Sequence, residues 1–207
     1  MRVVTVVVGQ LQTNCFLVID ESTAEALIID PGDDAELIKQ KLQEEQAKPM
    51  GLVATHGHFD HVLAATDLQL SFNIPFMLSK LDLKILGNMN KSAKYFLGVV
   101  VGPPPKTDRL LKEGAKLHFG KEKLLVFETP GHTPGGISLY APKHNLVFVG
   151  DTLFAQGGRG RTDFSYGDHK ALEISIQKLL TLPQETTVYA GHGEKTTIKK
   201  EKRYYAL

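Results

Sequence analysis

Two rhythms of hydrophobic positions run along this chain, one of period two and one helical, and their succession predicts its elements. Residues 2–8 form a β-prone apolar run, and comparable runs near 14–19 and 25–30 predict two more strands. After Pro31-Gly32, Leu37, Ile38 and Leu42 keep helical spacing, predicting a helix from Asp34 through about Glu45 with Asp33 or Asp34 as its cap. Gly51-Leu52-Val53-Ala54-Thr55 reads as a strand, and Val62-Leu63-Ala64-Ala65 with Leu68 and Leu70 as the helix beyond it. Further strands are expected at 74–78, 116–119, 124–129, 137–140, 146–149 and 187–190, and further helices at 80–96 and 168–181. Two βαβ-like halves result. Between them Gly98-Val99-Val100-Val101-Gly102-Pro103-Pro104-Pro105 is a stiff apolar loop, read either as a proline-pinned connector or as a border of the active site.

Composition narrows the class. With 207 residues and 42% hydrophobic content, the chain buries a substantial core, and 1–207 is read as a single domain. A net charge of +1, with lysines spread throughout, offers no bulk field for nucleic acid, so no nucleic-acid partner is expected. The apolar N-terminus is only a strand long and is broken by Gly9-Gln10, and no stretch approaches membrane-spanning length, so no membrane partner is expected either. The single Cys15 excludes an internal disulfide and reads as a small buried residue; the default location is cytoplasmic. The sequence is silent on oligomeric state.

The chemistry is concentrated in His56-Gly57-His58-Phe59-Asp60-His61, three imidazoles and a carboxylate in a chain with 8 histidines. Neutral imidazole and carboxylate suit zinc, iron or manganese, and packing requires no such cluster. The cluster stands where a strand ends and a helix begins, so His56 and His58 face one side while Asp60 and His61 diverge. Pro130-Gly131-His132-Thr133-Pro134-Gly135-Gly136 holds another histidine in a rigid turn. Val147-Phe148-Val149-Gly150-Asp151 presents a carboxylate at a strand tip, and Thr187-Val188-Tyr189-Ala190-Gly191-His192 repeats that design with a histidine. These five histidines and two aspartates suffice for two divalent cations sharing a carboxylate and a water, with Asp151 the candidate bridge. Zinc is the first expectation, iron or manganese the alternatives. His118, His144 and His169 are assigned surface or capping roles.

Thr-His-Gly-His-Phe-Asp-His, then Pro-Gly-His-Thr-Pro-Gly, Gly-Asp-Thr-Leu-Phe and Gly-His-Gly-Glu-Lys-Thr-Thr resemble the metallo-β-lactamase superfamily, in order and spacing, over nearly the whole chain. The HxHxDH form argues against the flavodiiron branch, and Gly160-Arg161-Thr162-Asp163-Phe164 resembles glyoxalase II-like and persulfide dioxygenase-like members. The resemblance implies an α+β fold, an αβ/βα four-layer sandwich with two β-sheets between helices. It also implies His56, His58 and His132 on one metal, Asp60, His61 and His192 on the other, and Asp151 between them.

Two metals imply hydrolysis by a shared hydroxide, with no protein nucleophile, and Asp60 as the catalytic group that orients it. The sequence agrees: it has no GxSxG elbow, and Glu194 before Lys195 breaks a phosphate-loop reading. The leading function is a glyoxalase II-like thioesterase acting on S-D-lactoylglutathione or a related small acyl-thioester. One alternative is a mononuclear iron dioxygenase of glutathione persulfide using His56, His132 and Asp151; the other is a non-catalytic metal-binding protein. Arg161 is the candidate substrate contact, because Arg binds carboxylates bidentately, with a structural pair to Asp163 or Asp168 as the competing role. Only fifteen residues follow His192, so the chain looks like the short glyoxalase II type. It ends in Glu201-Lys202-Arg203-Tyr204-Tyr205-Ala206-Leu207 where such members have Glu-x-x-Asn-Pro-Phe, which leaves the outer substrate wall without a template.

Overall fold

The computed structural model describes residues 1–205; Ala206 and Leu207, which belong to the C-terminal run just mentioned, lie outside the described residues. Two six-stranded sheets divide the chain between them. The first holds β1 (Arg2–Val8), β2 (Thr13–Ile19), β3 (Glu25–Ile29), β4 (Lys48–Val53), β5 (Phe76–Ser79) and β6 (Thr107–Leu111), side by side in chain order. Its first three strands are antiparallel and its last three continue parallel from β3. The second holds β7 (Lys116–Phe119), β8 (Glu122–Glu128), β9 (Ile137–Ala141), β10 (Leu146–Gly150), β11 (Thr187–Ala190) and β12 (Thr196–Thr197), where only β10 and β11 pair in parallel.

Each parallel pair needs a crossover, and helices supply all of them. Helix α1 (Ala35–Glu44) joins β3 to β4, α2 (Ala65–Phe72) joins β4 to β5, and α3 (Leu83–Gly87) with α4 (Met89–Leu97) joins β5 to β6. In the second half α5 (His169–Leu180) joins β10 to β11, and α6 (Ile198–Tyr205) follows β12. Three apolar clusters make four layers of this. Phe16, Ile29, Val53, Leu124, Leu139 and Phe148 interleave between the sheets. Ile28, Leu52 and Leu78 face Ile38, Leu42, Leu68 and Met89 of the first helices. Val147 and Val188 face Leu172, Ile176 and Ile198 of the last ones. Because successive strand residues point to opposite faces, one strand such as β3 feeds Leu27 and Ile29 into the middle and Ile28 into the helix layer. This is the expected α+β sandwich of two sheets between helices.

Several local expectations shift. Neither Asp33 nor Asp34 caps α1: Asp34 adopts a left-handed conformation (φ 51°) with no side-chain cap. Its Oδ2 instead accepts from Gly9 N at 2.8 Å, tying the helix start to the β1–β2 turn. The predicted helix over 80–96 is a 3₁₀ turn followed by α3 and α4, divided at Asn88 after Gly87, a weak helix former. Strand β6 escapes a periodicity reading because Asp108, Arg109 and Leu110 are all exposed; it exists through parallel pairing with β5. The loop 98–105 behaves as a connector: Val99 and Val101 pack on the helix-side core, and Pro103 O and Val101 O accept from Thr66 and Asn90.

Candidate metal centre

All seven sequence-selected ligand residues meet at the C-terminal ends of β4, β10 and β11, the sheet edge where helices and loops leave room for a ligand. After β4 the chain bends at Thr55 and His56 and Phe59–His61 closes into a 3₁₀ turn, so the His56 ring lies between those of His61 and His58, with centroids 4.2 and 4.7 Å away, rather than on a side of its own with His58. Strand β10 ends at Gly150 with φ +51°, where a Cβ would stand 2.5 Å from Thr55 Oγ1; glycine lets the chain turn there and present Asp151. His192 follows β11 and is latched to the first half by Asn14, whose amide donates to Ala190 O and Gly193 O at 2.9 Å each.

The ligand atoms form two overlapping sets. In the first, His58 Nδ1 lies 3.1 Å from His56 Nε2 and 2.9 Å from His132 Nε2. In the second, Asp60 Oδ2 lies 3.4 Å from His192 Nε2 and 3.7 Å from His61 Nε2. Asp151 spans both: Oδ1 is 3.5 Å from His61 Nε2, and Oδ2 is 3.6 Å from His132 Nε2 and 3.7 Å from His192 Nε2. Three triads, His56/His58/His132, His56/His61/Asp151 and Asp60/His61/His192, each gather within 4.8 Å. Such separations suit cations bound at about 2.0–2.2 Å by imidazole and carboxylate.

Outer hydrogen bonds decide which nitrogen of each ring faces inward. His61 Nδ1 donates to Asp30 Oδ2 at 3.0 Å, His132 Nδ1 to Arg161 O at 2.7 Å, and His192 Nδ1 to Leu11 O at 3.1 Å. Thr55 Oγ1 gives its hydrogen to Asp30 Oδ2 at 2.7 Å and so accepts from His56 Nδ1 at 3.1 Å. Those four rings present Nε2 to the centre; His58 is reversed, with Nε2 bonded to the Tyr166 hydroxyl at 2.8 Å and Nδ1 inward. Such outer partners fix ring orientation and tautomer for a metal. A direct test of fit lies in the buried polar atoms: His61 Nε2 and Asp151 Oδ1 have no hydrogen-bond partner, and both face the gap between the two sets. Donor type, orientation and these orphaned atoms all fit divalent cations.

The two sets differ in charge. Burial and the neighbouring imidazoles push His56 well below its usual value, and burial with His132 brings His58 to about 3. Burial alone would lower His61 too, but Asp151, Asp60 and Asp30 raise it to about 10. Burial opposes ionisation of Asp60, yet His61 and His192 hold its carboxyl below the ordinary range.

Two carboxylates beneath the centre were not singled out in the sequence. Asp30 is fully buried and binds Thr55 N at 2.7 Å besides Thr55 Oγ1 and His61. Asp82, also fully buried, accepts from Gly57 N at 2.8 Å and Gly135 N at 2.6 Å, joining the two loops that carry His56, His58 and His132. Asp30 ends a strand before Pro31-Gly32, the same signal that marked Asp151, so it was open to detection. Asp82 and Tyr166 carried no such mark.

Arg161 turns its side chain to Asp163, which it binds through Nε and Nη2 at 2.6 Å each, so the structure shows the anticipated pair. His118 and His169 are exposed, and His144 bonds Glu122 at 2.9 Å; these three lie outside the ligand sets.

Residues 8–192 match the family model described as the Metallo-beta-lactamase superfamily. The hydroxyacylglutathione hydrolase GloC of Haemophilus influenzae is 37% identical over 98% of this chain and 96% of its own. Among solved structures, TTHA1623 in a di-iron-bound form superposes with a TM-score of 0.89 at 38% identity, covering 97% of this chain and 98% of its own. ETHE1 from Myxococcus xanthus superposes with a TM-score of 0.79 at 28% identity, covering 100% of this chain and 84% of its own.

Proposed function

Because the chain belongs to the metallo-beta-lactamase superfamily, we propose that it is a metal-dependent thioesterase of the glyoxalase II-like kind, cleaving S-D-lactoylglutathione or a related small acyl-thioester. The observation that carries this reading is the pair of ligand sets sharing Asp151, with every ring turned inward by an outer hydrogen bond. The likeness to GloC over nearly the full length of both chains gives it a substrate class. In this reading the protein acts as one cytoplasmic domain on a small molecule, without nucleic acid or membrane. Its near-neutral charge supports that, and no helix among the described residues is long and apolar enough to cross a membrane.

His56, His58 and His132 would hold one divalent cation and Asp60, His61 and His192 the other, with Asp151 between; zinc is the first candidate, iron or manganese the next. Such a pair supplies Lewis-acid activation of a water and polarisation of the thioester carbonyl. Asp60, one of those ligands, adds a carboxylate able to accept a hydrogen bond from the attacking water and so aim it. A thiolate leaves readily, so cleavage needs no strong protein acid.

Elemental analysis of purified protein, paired with anaerobic thiol release from S-D-lactoylglutathione, tests this. About two metals per chain and oxygen-independent release are expected. The likeness to ETHE1 keeps the dioxygenase reading as the competitor. One iron, no thiol release and oxygen uptake on glutathione persulfide would establish that competitor and defeat the hydrolase.

A further inference from the structure

We infer that Tyr166 is a positioning residue for the first ligand set, its hydroxyl oxygen taking the Nε2–H that His58 carries when it offers Nδ1 to a cation. The inference rests on the metal-site reading above and extends it to a residue that motif and spacing leave out.

Four of the five inward-facing rings have outer partners that can only accept from them: the carboxylate of Asp30, the carbonyls of Arg161 and Leu11, and Thr55 Oγ1, whose own hydrogen is committed to Asp30. In the neutral form that binds a cation an imidazole carries one N–H, so an outer acceptor turns the lone pair inward. His58 is the exception twice over. It alone presents Nδ1 to the centre, and its outer partner is a phenol, 2.8 Å from Nε2. With Nδ1 given to a cation, the Tyr166 oxygen accepts from Nε2–H and keeps its own hydrogen for solvent or a ligand. Once Nδ1 is given to a cation, no other described contact of His58 accepts its Nε2–H.

The phenol is itself held in place. Its ring stacks on Phe164 with centroids 5.3 Å apart and planes 22° from parallel, and the Gly167 N to Phe164 O bond of 2.8 Å closes the turn that brings the two together. Phe164 in turn lies edge-on to the His58 ring at 5.5 Å and carries the Arg161 guanidinium 4.4 Å over its face. The same loop supplies Arg161 O to His132, and at its start Gly160 passes so close that a Cβ would stand 1.9 Å from Asp151 O and 3.0 Å from the His132 ring. At its end Asp168 N bonds Gly131 O at 2.8 Å, joining the loop to the turn that bears His132. One segment, 160–168, therefore sets two of the three rings of the first set and none of the second.

Tyr166→Phe removes the oxygen and keeps the stack. In zinc titrations against a competing chelator, this variant is expected to hold the first equivalent of the set about 10–100-fold more weakly, the range typical of lost outer partners. The second set should bind as in the parent. A second readout uses the zinc-loaded protein: long-range ¹⁵N–¹H spectra should show the His58 Nε2 hydrogen exchanging slowly in the parent and faster in Tyr166→Phe. Parent-like affinity together with a parent-like exchange rate of the His58 Nε2 hydrogen in Tyr166→Phe would overturn the inference. So would a loss seen in Tyr166→Ala but absent from Tyr166→Phe, since that assigns the effect to stacking. A parent protein that binds no zinc refutes the metal reading itself, whereas a parent that binds zinc and a Tyr166→Phe variant weakened equally in both sets refutes only the role of Tyr166.

Discussion

The two ligand sets use almost the same side chains and build opposite electrostatic environments. His56, His58 and His132 are held from behind by a hydroxyl, a phenol and a carbonyl, and burial keeps His56 and His58 uncharged. Asp60, His61 and His192 stand among Asp30, Asp60 and Asp151, which draw a proton onto His61. A cation in the first set would keep most of its charge and polarise a carbonyl strongly, while one in the second would be largely neutralised. The contrast between the two sets comes first from the carboxylates of Asp151 and Asp60 and then from the outer partner Asp30.

Removing what the sets share should have the largest effect. Asp151 is the one carboxylate that approaches rings of both, at 3.5 to 3.7 Å. Asp151→Ala is expected to lower thiol release by about a thousandfold or more, since metal-assisted charge stabilisation is worth several kcal/mol at tenfold per 1.36 kcal/mol. Elemental analysis should show the second cation lost as well. An active variant with two metals would mean that each set is complete alone.

Next comes a change confined to the charged side. Asp30→Asn leaves the volume intact but turns an amide donor toward groups that already donate, Thr55 N, Thr55 Oγ1 and His61 Nδ1. Second-set affinity should fall about 10–100-fold, and the buried mismatch should cost about 1–3 kcal/mol in denaturant unfolding. The first set should weaken less, because Thr55 passes only part of the disturbance to His56. Equal losses in both sets would erase the distinction drawn between them.

What the sequence revealed follows the same division. The candidate ligands were legible because histidine and aspartate at strand tips and in Gly-Pro turns have few other uses at that density. Asp82 was not, because its partners Gly57 and Gly135 lie 25 and 53 residues away in the chain and are backbone groups, which leave no trace in composition. The strands facing both helices and sheet read as plain apolar runs. β6 did not, since an edge strand with exposed Asp108 and Arg109 draws its stability from a neighbour. Strand β12 and helix α6 were missed for a related reason: Ile198-Lys199-Lys200-Glu201-Lys202-Arg203 looks like a solvated tail, and what anchors it is Glu201. That buried carboxylate accepts from Thr196 Oγ1 at 2.6 Å and Gly157 N at 2.8 Å.

A gentler probe is the pH dependence of the metal-free protein. His61, raised from 6.5 to about 10, stabilises the fold fully below pH 6.5, and that contribution is lost as pH rises through 10. His58, lowered from 6.5 to about 3, has the opposite effect: below pH 6.5 the unfolded chain gains a proton that the folded one refuses, so stability falls until about pH 3. Thermal unfolding of chelator-treated protein should therefore lose stability on both sides of pH 6.5. His61→Asn should flatten the alkaline limb and His58→Asn part of the acid limb. If either substitution flattened the other limb, the charge contrast would be reversed.

The smallest effect is expected where the first set meets the outside. The Arg161 guanidinium is exposed and committed to Asp163, and His132 uses its backbone oxygen, not its side chain. An exposed pair of this kind contributes little, so Arg161→Ala should change KM for S-D-lactoylglutathione by less than about fivefold. The chelator titration of the first set should be unchanged, because the alanine variant keeps the carbonyl that bonds His132. A KM rise of tenfold or more with normal zinc binding would show that the guanidinium leaves Asp163 for the anionic substrate. The neutral side of the centre would then acquire its charge from the ligand-bound loop, and the contrast between the two sets would hold only for the free enzyme.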